Sequence, residues 1–242
     1  MNAIVIEGLT KSYGNITAVN DLTLSVEEGE LFALLGVNGA GKTTTIKMLS
    51  CLTKPTSGDA LLLGKSIVKD PGAIKSIIAV SPQETAVAKG LSAYENLALM
   101  CGVHGLSKER REAKIKELTE LLGLGEILTR KAGKLSGGWQ RRISIAMALI
   151  SEPKILFLDE PTLGLDVIAR SELWDLIRSL KGKVTIILTT HYMEEAEALS
   201  DRIAIMKDGR LLISDTAEKI KSVTGEDRFE AAFIKIVREG VK

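Results

Sequence analysis

Short apolar runs alternate along the chain with segments in which apolar residues recur every three or four positions. The runs predict five strands: AIVIEGL (3–9), ELFALLG (30–36), IIAVSPQ (77–83), KILFLDE (154–160) and KVTIILTTH (183–191). Several are apolar throughout, which is typical of strands whose sheet is covered on both faces. The segments between them predict helices, among them KTTTIKMLSCL (42–52) and SELWDLIRSL (171–180). This alternation indicates an α/β fold with a mainly parallel sheet.

Two regions depart from the alternation. Residues 84–150 show almost no strand pattern and predict helices instead, one of which starts at Ser107 and ends at Gly123. In RIAIMKDGRLLISD (202–215) two alternating runs flank an Asp-Gly pair, which predicts a β-hairpin. The segment EDRFEAAFIKIVREG (226–240) predicts an amphipathic helix. The chain is therefore predicted to be an α/β core with a helical insertion and a helical tail.

Composition narrows the choice of partners. The 242 residues include 32 Lys and Arg against 31 Asp and Glu, so the net charge of +1 gives no reason to expect nucleic acid or an acidic membrane surface. Cys51 and Cys101 lack the spacing of a metal site or a disulfide framework and are interpreted as buried free thiols. No run approaches the roughly 18 apolar residues of a membrane span, and MNAIVIEGLTKSYG is not a secretory signal. We expect a cytoplasmic chain.

A glycine-rich loop joins the second predicted strand to a predicted helix. GVNGAGKT (36–43) fits the pattern of a glycine, any four residues, and Gly-Lys-Ser/Thr. Gly36 and Gly41 lack a Cβ, so the backbone can bend sharply and point its N–H groups at one small volume. Lys42 adds a full charge for β- and γ-phosphates, and Thr43 adds a hydroxyl for Mg²⁺. The loop is predicted to hold a polyphosphate.

Polar residues end three of the other predicted strands. A Mg²⁺ ion prefers oxygen ligands, and Asp159 is the carboxylate predicted to hold it through water. Consecutive strand residues point to opposite faces, so Glu160 is predicted to orient or deprotonate the attacking water. Gln83 could reach the metal or the water from the side. His191 ends a strand at the edge where open α/β sheets bind ligands, and we predict that it joins the site.

Two aromatic side chains have less context. Tyr13 follows Lys11 and Ser12 and is either a core aromatic or a platform for an adenine ring. Sequence position does not choose between these interpretations. His104 has no motif around it and is interpreted as a surface or packing residue.

A second glycine motif, LSGGWQRR (135–142), precedes the helical stretch RRISIAMALI (141–150) and predicts another helix start suited to an anion. With the first glycine loop, KILFLDEPT (154–162), the LGLD that follows it and His191, this motif makes the chain resemble the nucleotide-binding subunit of ATP-binding-cassette (ABC) proteins. The resemblance covers residues 1–215.

The resemblance implies a single ABC nucleotide-binding domain over residues 1–242. Its P-loop NTPase core, residues 1–83 and 151–215, would have a mainly parallel sheet and an antiparallel β subdomain. Residues 84–150 would form an inserted helical subdomain that carries the second glycine motif. Residues 216–242 would form a C-terminal helical tail.

The resemblance also implies a role for each motif residue. Nine consecutive residues would form the phosphate loop: Gly36, Val37, Asn38, Gly39, Ala40, Gly41, Lys42, Thr43 and Thr44. Tyr13 would stack on adenine, and Gln83 would link the γ-phosphate site, including its metal, to a membrane partner. Asp159 would bind Mg²⁺ together with Thr43. Glu160 would be the catalytic base, and His191 the switch histidine.

The second glycine motif has a use in a dimer. In ABC proteins two subunits lie head to tail and hold two ATP molecules between them. The resemblance implies that three residues contact the γ-phosphate of ATP bound to the other subunit: Ser136, Gly137 and Gly138. Asp166, with Gly164 and Leu165, would belong to a loop that crosses the dimer interface. Trp139 and Leu163 depart from the residues that are more usual at their positions.

The resemblance implies an ATPase with ATP and Mg²⁺ as cofactors that drives transport through integral membrane permease subunits on separate chains. A homodimer is expected because this chain keeps both glycine motifs and Glu160. We expect the export-type branch and a peripheral position on the cytoplasmic face of the membrane. The alternative is an ABC ATPase switch outside transport. The near-neutral charge and the lack of a long heptad insertion argue against it, and no nucleic-acid partner is expected.

Overall fold

In a computed structural model, which describes residues 1–240, strands form two sheets with helices packed around them. The strands are β1 (Asn2–Tyr13), β2 (Ile16–Glu27), β3 (Leu31–Leu35), β4 (Ser57–Leu62), β5 (Lys65–Ser66), β6 (Ile78–Ser81), β7 (Ile155–Asp159), β8 (Thr185–Thr190), β9 (Arg202–Lys207) and β10 (Arg210–Asp215). The α-helices are α1 (Lys42–Leu49), α2 (Pro71–Lys75), α3 (Ala93–Val103), α4 (Lys108–Leu121), α5 (Gly137–Leu149), α6 (Val167–Leu180), α7 (Met193–Leu199), α8 (Ala217–Thr224) and α9 (Phe229–Glu239).

The larger sheet has the order β10-β9-β3-β8-β7-β6, and all its pairs are parallel except β9 with β10. Strands β3, β7 and β8 are buried at every position, as their apolar runs predict. In β7, Phe157 packs into the cluster that the second sheet covers, whereas Leu156 and Leu158 pack into the cluster beneath α3, α5 and α6. The predicted mainly parallel sheet is confirmed.

The predicted strand ends need small corrections. Strand β6 ends at Ser81 rather than at residue 83, β7 at Asp159 rather than at residue 160, and β8 at Thr190 rather than at residue 191. Glu160 adopts a left-handed conformation with φ 47°, so the chain leaves the sheet at this residue. The prediction that Asp159 and Glu160 are successive strand residues on opposite faces is therefore wrong.

The smaller sheet is antiparallel, with the order β2-β1-β4-β5. The apolar run at 3–9 belongs to this sheet and not to the parallel one, and β2, β4 and β5 were not predicted from the pattern. Register shifts interrupt the β1–β2 pairing at several points, which breaks the alternation that would reveal a strand. The antiparallel sheet itself matches what the resemblance implied.

The insertion is helical as predicted, and α3, α4 and α5 pack around one apolar cluster. Helix α4 starts as the sequence indicates, because the Ser107 hydroxyl accepts a hydrogen bond from the Arg110 N–H at 3.3 Å. Helix α3 begins with a capping box between Ser92 and Glu95. Two short 3-10 helices lead from α4 to α5.

The predicted hairpin at 202–215 is confirmed as β9 and β10. Helices α7, α8 and α9 pack on an apolar cluster that includes Ala33 and Leu35 of β3 in the larger sheet. The predicted amphipathic tail helix is α9, which buries Phe229, Phe233 and Ile236. Positions 241 and 242 of the predicted tail lie outside the described residues. No helix among residues 1–240 is both long enough and apolar enough to cross a membrane.

Candidate nucleotide site

The glycine loop, residues 36–44, leads from the buried strand β3 into α1, and two of its three glycines sit where a side chain would collide with backbone. A Cβ on Gly36 would lie 2.5 Å from the Met206 carbonyl oxygen, and one on Gly41 would lie 2.5 Å from that of Ala18. Gly41 is the N-cap of α1 and has φ 101°, a conformation that favours glycine. The tight curve therefore requires glycine at both positions, and it aims the start of α1 at the loop's interior.

Lys42 is held inside this curve, with only 5% of the residue exposed. Its Nζ donates to the Gly36 carbonyl at 2.7 Å and to the Val37 carbonyl at 3.3 Å, and it lies 3.6 Å from Glu160 Oε1. Burial lowers the pKa of Lys42, while the charges of Glu160 and Asp159 act in the opposite direction. Lys42 is thus fixed inside the loop by two backbone carbonyls and by its ion pair with Glu160.

Asp159 ends β7 directly beside the loop. Its Oδ1 accepts a hydrogen bond from Thr43 Oγ1 at 3.3 Å and another from the Thr189 hydroxyl of the neighbouring strand β8. A threonine hydroxyl and a carboxylate oxygen this close are the hard oxygen donors that suit Mg²⁺. Thr43 and Asp159 therefore fit the metal that the sequence predicted.

Glu160 and His191 meet at the ends of β7 and β8. The Glu160 N–H donates to both the carbonyl and the hydroxyl oxygens of Thr189, at 3.1 and 3.0 Å, which fixes the left-handed turn. Its Oε2 lies 2.7 Å from His191 Nδ1. The His191 ring is 4.1 Å from the Tyr192 ring, centroid to centroid. The carboxylate thus has one oxygen toward Lys42 and the other on the histidine, so its orientation is set from two sides.

Lys42, Glu160 and His191 line one cavity of about 520 Å³. Its lining residues are Ala18, Asn38, Gly39, Ala40, Gly41, Lys42, Thr43, Thr44, Gln83, Glu160, Leu163 and His191. Asp159 is not among them and adjoins the cavity through Thr43. Gln83 reaches it from a segment that follows β6, and its carbonyl oxygen accepts a hydrogen bond from Arg141 at 2.5 Å. The structure therefore brings together the phosphate loop, Gln83, Glu160 and His191.

Tyr13 lies apart from this cavity's lining, at the end of β1, and the residue is 49% exposed. The Lys11 ammonium lies 4.9 Å from its ring centroid. The interpretation of Tyr13 as a core aromatic is wrong, and its contact with adenine stays a prediction. His104 is exposed, as predicted. Cys101 is buried and Cys51 only partly so, which corrects the expectation of two buried thiols.

The second glycine motif starts α5, and we call residues 136–138 the signature turn. Ser136 is the N-cap, but its side chain makes no cap hydrogen bond, unlike the capping side chains of Ser92, Ser107 and Thr216. A Cβ on Gly138 would lie 3.1 Å from the Ala169 Cβ at the start of α6, so glycine permits this close packing. Asp166 caps α6 by accepting a hydrogen bond from the Ala169 N–H at 2.9 Å.

The signature turn and Asp166 do not line the cavity at the phosphate loop. Ser136 and Gly137 are exposed, so the turn presents an unused hydroxyl and helix N–H groups to the surface. Trp139, one of the two departures, packs against the apolar cluster with the Arg142 guanidinium 4.8 Å from its ring centroid. The other, Leu163, lines the cavity.

Sequence reasoning missed two residues at the site, Thr189 and Arg141. Thr189 binds both Asp159 and the backbone of Glu160, and a signal for it exists in the paired threonines that end the otherwise apolar run of β8. Arg141 holds the carbonyls of Pro82 and Gln83 from α5. Its contacts join positions 58 and 59 residues apart, so no local pattern reveals them.

Comparisons with known proteins agree with this geometry. The sequence profile of a family described as "ABC transporter" matches residues 19–163. The chain is 41% identical over 243 aligned residues to the doxorubicin resistance ATP-binding protein DrrA of Mycobacterium tuberculosis, covering 99% of this chain and 72% of that protein. It is 40% identical to the daunorubicin/doxorubicin resistance ATP-binding protein DrrA of Streptomyces peucetius, over 93% of this chain and 68% of that one.

Solved structures give the same result at the level of the fold. A structure of an ATP-binding subunit of an ABC transporter superposes with a TM-score of 0.85 and 28% identity, covering 98% of this chain and 100% of that one. A dimeric ATP-binding cassette in a post-hydrolysis state, bound to ADP and phosphate, superposes with a TM-score of 0.78 and 28% identity. That match covers 88% of this chain and 98% of the other.

Proposed function

Because the chain belongs to the ABC transporter family, we propose that its cavity is the site where it binds and hydrolyses ATP to drive transport. The chain is the ATP-binding subunit of such a transporter, with an ABC ATPase fold. The observation that carries the assignment of the site is the convergence of Lys42, Glu160 and His191 on one cavity behind the glycine loop.

Each group at the cavity has a chemical task in this proposal. Lys42 and the N–H groups of the phosphate loop bind the β- and γ-phosphates, which fixes the nucleotide's orientation. Glu160 accepts the proton of the attacking water, and His191 keeps the carboxylate aimed at that water through the 2.7 Å contact. Mg²⁺ held by Thr43 and Asp159 would supply charge neutralisation on the phosphate oxygens when bound.

The signature turn supports a dimer with two nucleotides. Its Ser136 hydroxyl and helix N–H groups are available to an anion, yet they do not line the chain's own phosphate-loop cavity. We propose that two copies of this chain pair head to tail. The signature turn of each copy then lies at the phosphate-loop cavity of the other copy. The dimeric ATP-binding cassette with ADP and phosphate supports this arrangement.

The proposed direction of transport is export of drug-like molecules. The relatives named for doxorubicin and daunorubicin resistance support it. The translocation path would belong to integral membrane permease subunits on other chains. This subunit would then sit peripherally at the cytoplasmic face of the membrane.

The direct test is ATP hydrolysis by the purified full chain. We expect Mg-ATP turnover that Glu160→Gln lowers by about 100-fold or more, since a positioned general base contributes about 10²–10⁴-fold. ATP binding should persist in this variant, because the lysine and the loop are intact. Glu120→Gln, an exposed carboxylate on α4, is the matched control and should turn over normally. Unchanged turnover in Glu160→Gln would contradict the role of Glu160.

A further inference from the structure

Arg141 is a buried arginine whose guanidinium binds backbone instead of a carboxylate. The residue is 4% exposed, and its Nη1 and Nη2 donate to the Pro82 and Gln83 carbonyl oxygens at 2.5 Å each. It forms no ion pair within residues 1–240. Burial lowers its pKa, while the charges of Asp159 and Glu195 oppose the shift. A buried charge without a paired carboxylate is costly, so stability alone gives no reason for an arginine here.

Helix α5 also holds the end of β6. Ser144, three residues after Arg141 on the helix, has its hydroxyl 3.0 Å from the Ser81 hydroxyl. Residues 81–83 are therefore joined to α5 by side-chain contacts from two consecutive turns. The far end of the same loop is held separately, because Asn96 of α3 donates to the Ala88 carbonyl at 3.1 Å and accepts from its N–H at 2.8 Å.

Arg141 holds Gln83 by its backbone carbonyl, and Gln83 is one of the residues that line the nucleotide cavity. The planar guanidinium has two parallel N–H groups, so it fixes both carbonyls and with them the direction in which the Gln83 side chain leaves the chain. Arg141 lies five residues after Ser136 on the same helix start, a rise of about 7.5 Å. The signature turn and Gln83 are thus joined through one short piece of α5.

We propose that Arg141 is a positioning residue that sets Gln83 in the cavity and links it to the signature turn. The proposal rests on the proposed function, because it gives Gln83 a task in ATP hydrolysis. A shift of α5 when the signature turn meets a nucleotide on the second copy would move both carbonyls. Gln83 would then report, in its own cavity, whether the signature turn of the same chain is engaged.

The test compares turnover by the full chain and four variants: Arg141→Gln, Arg141→Lys, Ser144→Ala and Arg110→Gln. We expect Arg141→Gln to lower kcat by about 10- to 100-fold, since small displacements of positioning groups cost rates of this order, with KM for ATP little changed. Arg141→Lys should also have a lowered kcat, because the lysine ammonium lacks the two parallel N–H groups that bind both carbonyls. Arg110→Gln replaces an exposed arginine on α4, outside the second glycine motif, and should retain kcat.

A second background separates positioning from general stability. In Gln83→Ala chains the Arg141→Gln change should have no further effect on kcat, because its target is gone. Equal kcat for Arg141→Gln and the wild type would overturn the proposal, as would a full further loss in the Gln83→Ala background. If Arg141→Gln does not fold, the same comparison between the wild-type and Gln83→Ala backgrounds is made with Arg141→Lys and with Ser144→Ala. A wild-type chain that hydrolyses no ATP would contradict the proposed function instead.

Discussion

The phosphate loop and the signature turn are both glycine-rich starts of helices, yet their surroundings differ. The phosphate loop lies in a cavity to which Asp159, Glu160 and His191 are brought by neighbouring strands of the same chain. The signature turn has an exposed serine whose hydroxyl caps nothing, and its glycine is packed against α6. The first region draws its cation, its acids and its histidine from one chain. The signature turn has the hydroxyl and the helix N–H groups of an anion site, but it lacks the acids and the lysine that lie at the phosphate loop.

This difference indicates that the groups of one nucleotide site can come from two chains, with the phosphate loop from one chain and the signature turn from the other. Removing a group from the phosphate loop should weaken nucleotide binding by a single chain. Removing a group from the signature turn should leave nucleotide binding by a single chain unchanged. It should impair only dimer formation and turnover, which need a second chain. The predictions below use this contrast.

The largest effect is expected for Lys42→Ala, which removes the cation inside the phosphate loop. Charge-assisted hydrogen bonds contribute about 1.5–3 kcal/mol each, so ATP affinity should fall by about 10- to 100-fold or more. Isothermal titration of the purified variant with ATP measures this. Lys47→Ala, on the exposed face of the same helix, is the matched control and should bind ATP normally. Unaltered affinity in Lys42→Ala would remove the lysine from the nucleotide site.

A smaller effect, of about 2- to 10-fold on turnover, is expected for Ser136→Ala, since one hydrogen bond contributes about 0.5–1.5 kcal/mol. Its folding stability should not change, because the hydroxyl makes no cap bond.

Ser107→Ala provides the opposite control. It removes a real cap on α4 and should lower the free energy of unfolding by about 1 kcal/mol while turnover is retained. Urea unfolding and ATPase assays on both variants measure the contrast. If Ser136→Ala destabilised the fold and left turnover intact, the signature turn would be an ordinary helix start.

The smallest effect concerns Glu195, a fully buried carboxylate on α7. Its helix α7 begins just after His191, and its Oε1 accepts a hydrogen bond from Trp174 Nε1 of α6 at 3.1 Å. Burial raises the pKa of Glu195. The folded chain therefore holds this proton more tightly than the unfolded chain, and its contribution to stability should decline as pH rises from the unfolded pKa of about 4.3 through the raised folded value.

Glu195→Gln should flatten this part of the pH dependence, because the amide cannot ionise. Thermal unfolding of the wild type and the variant between pH 4 and 8 measures the slopes. Identical slopes would show that Glu195 is not the group responsible. Glu194→Gln, its neighbour at the surface of α7, is the control and should keep the wild-type slope.

The parts of the fold that local patterns encode could be predicted, and those that depend on distant contacts could not. The apolar strands β3, β7 and β8 and the hairpin of β9 and β10 were predicted because each has its own periodicity. Strand β2 was missed because several register shifts interrupt its pairing with β1.

The same division holds at the site. The phosphate loop and the acids at the end of β7 could be predicted because strand, turn and helix follow one another directly. The conformation of Glu160 could not, because it depends on hydrogen bonds that its N–H donates to Thr189 on another strand. Arg141 could not either, because its partners lie on a different element nearly sixty residues away.

The central claim is that two copies of the chain close around two ATP molecules, each held by one phosphate loop and the other copy's signature turn. The most direct test is the mass of the Glu160→Gln chain in solution with ATP and Mg²⁺, measured by sedimentation together with its nucleotide content. The account predicts a dimer with two ATP molecules, which separates into monomers when nucleotide is removed. A chain that stays monomeric with ATP bound, at every concentration, would contradict it.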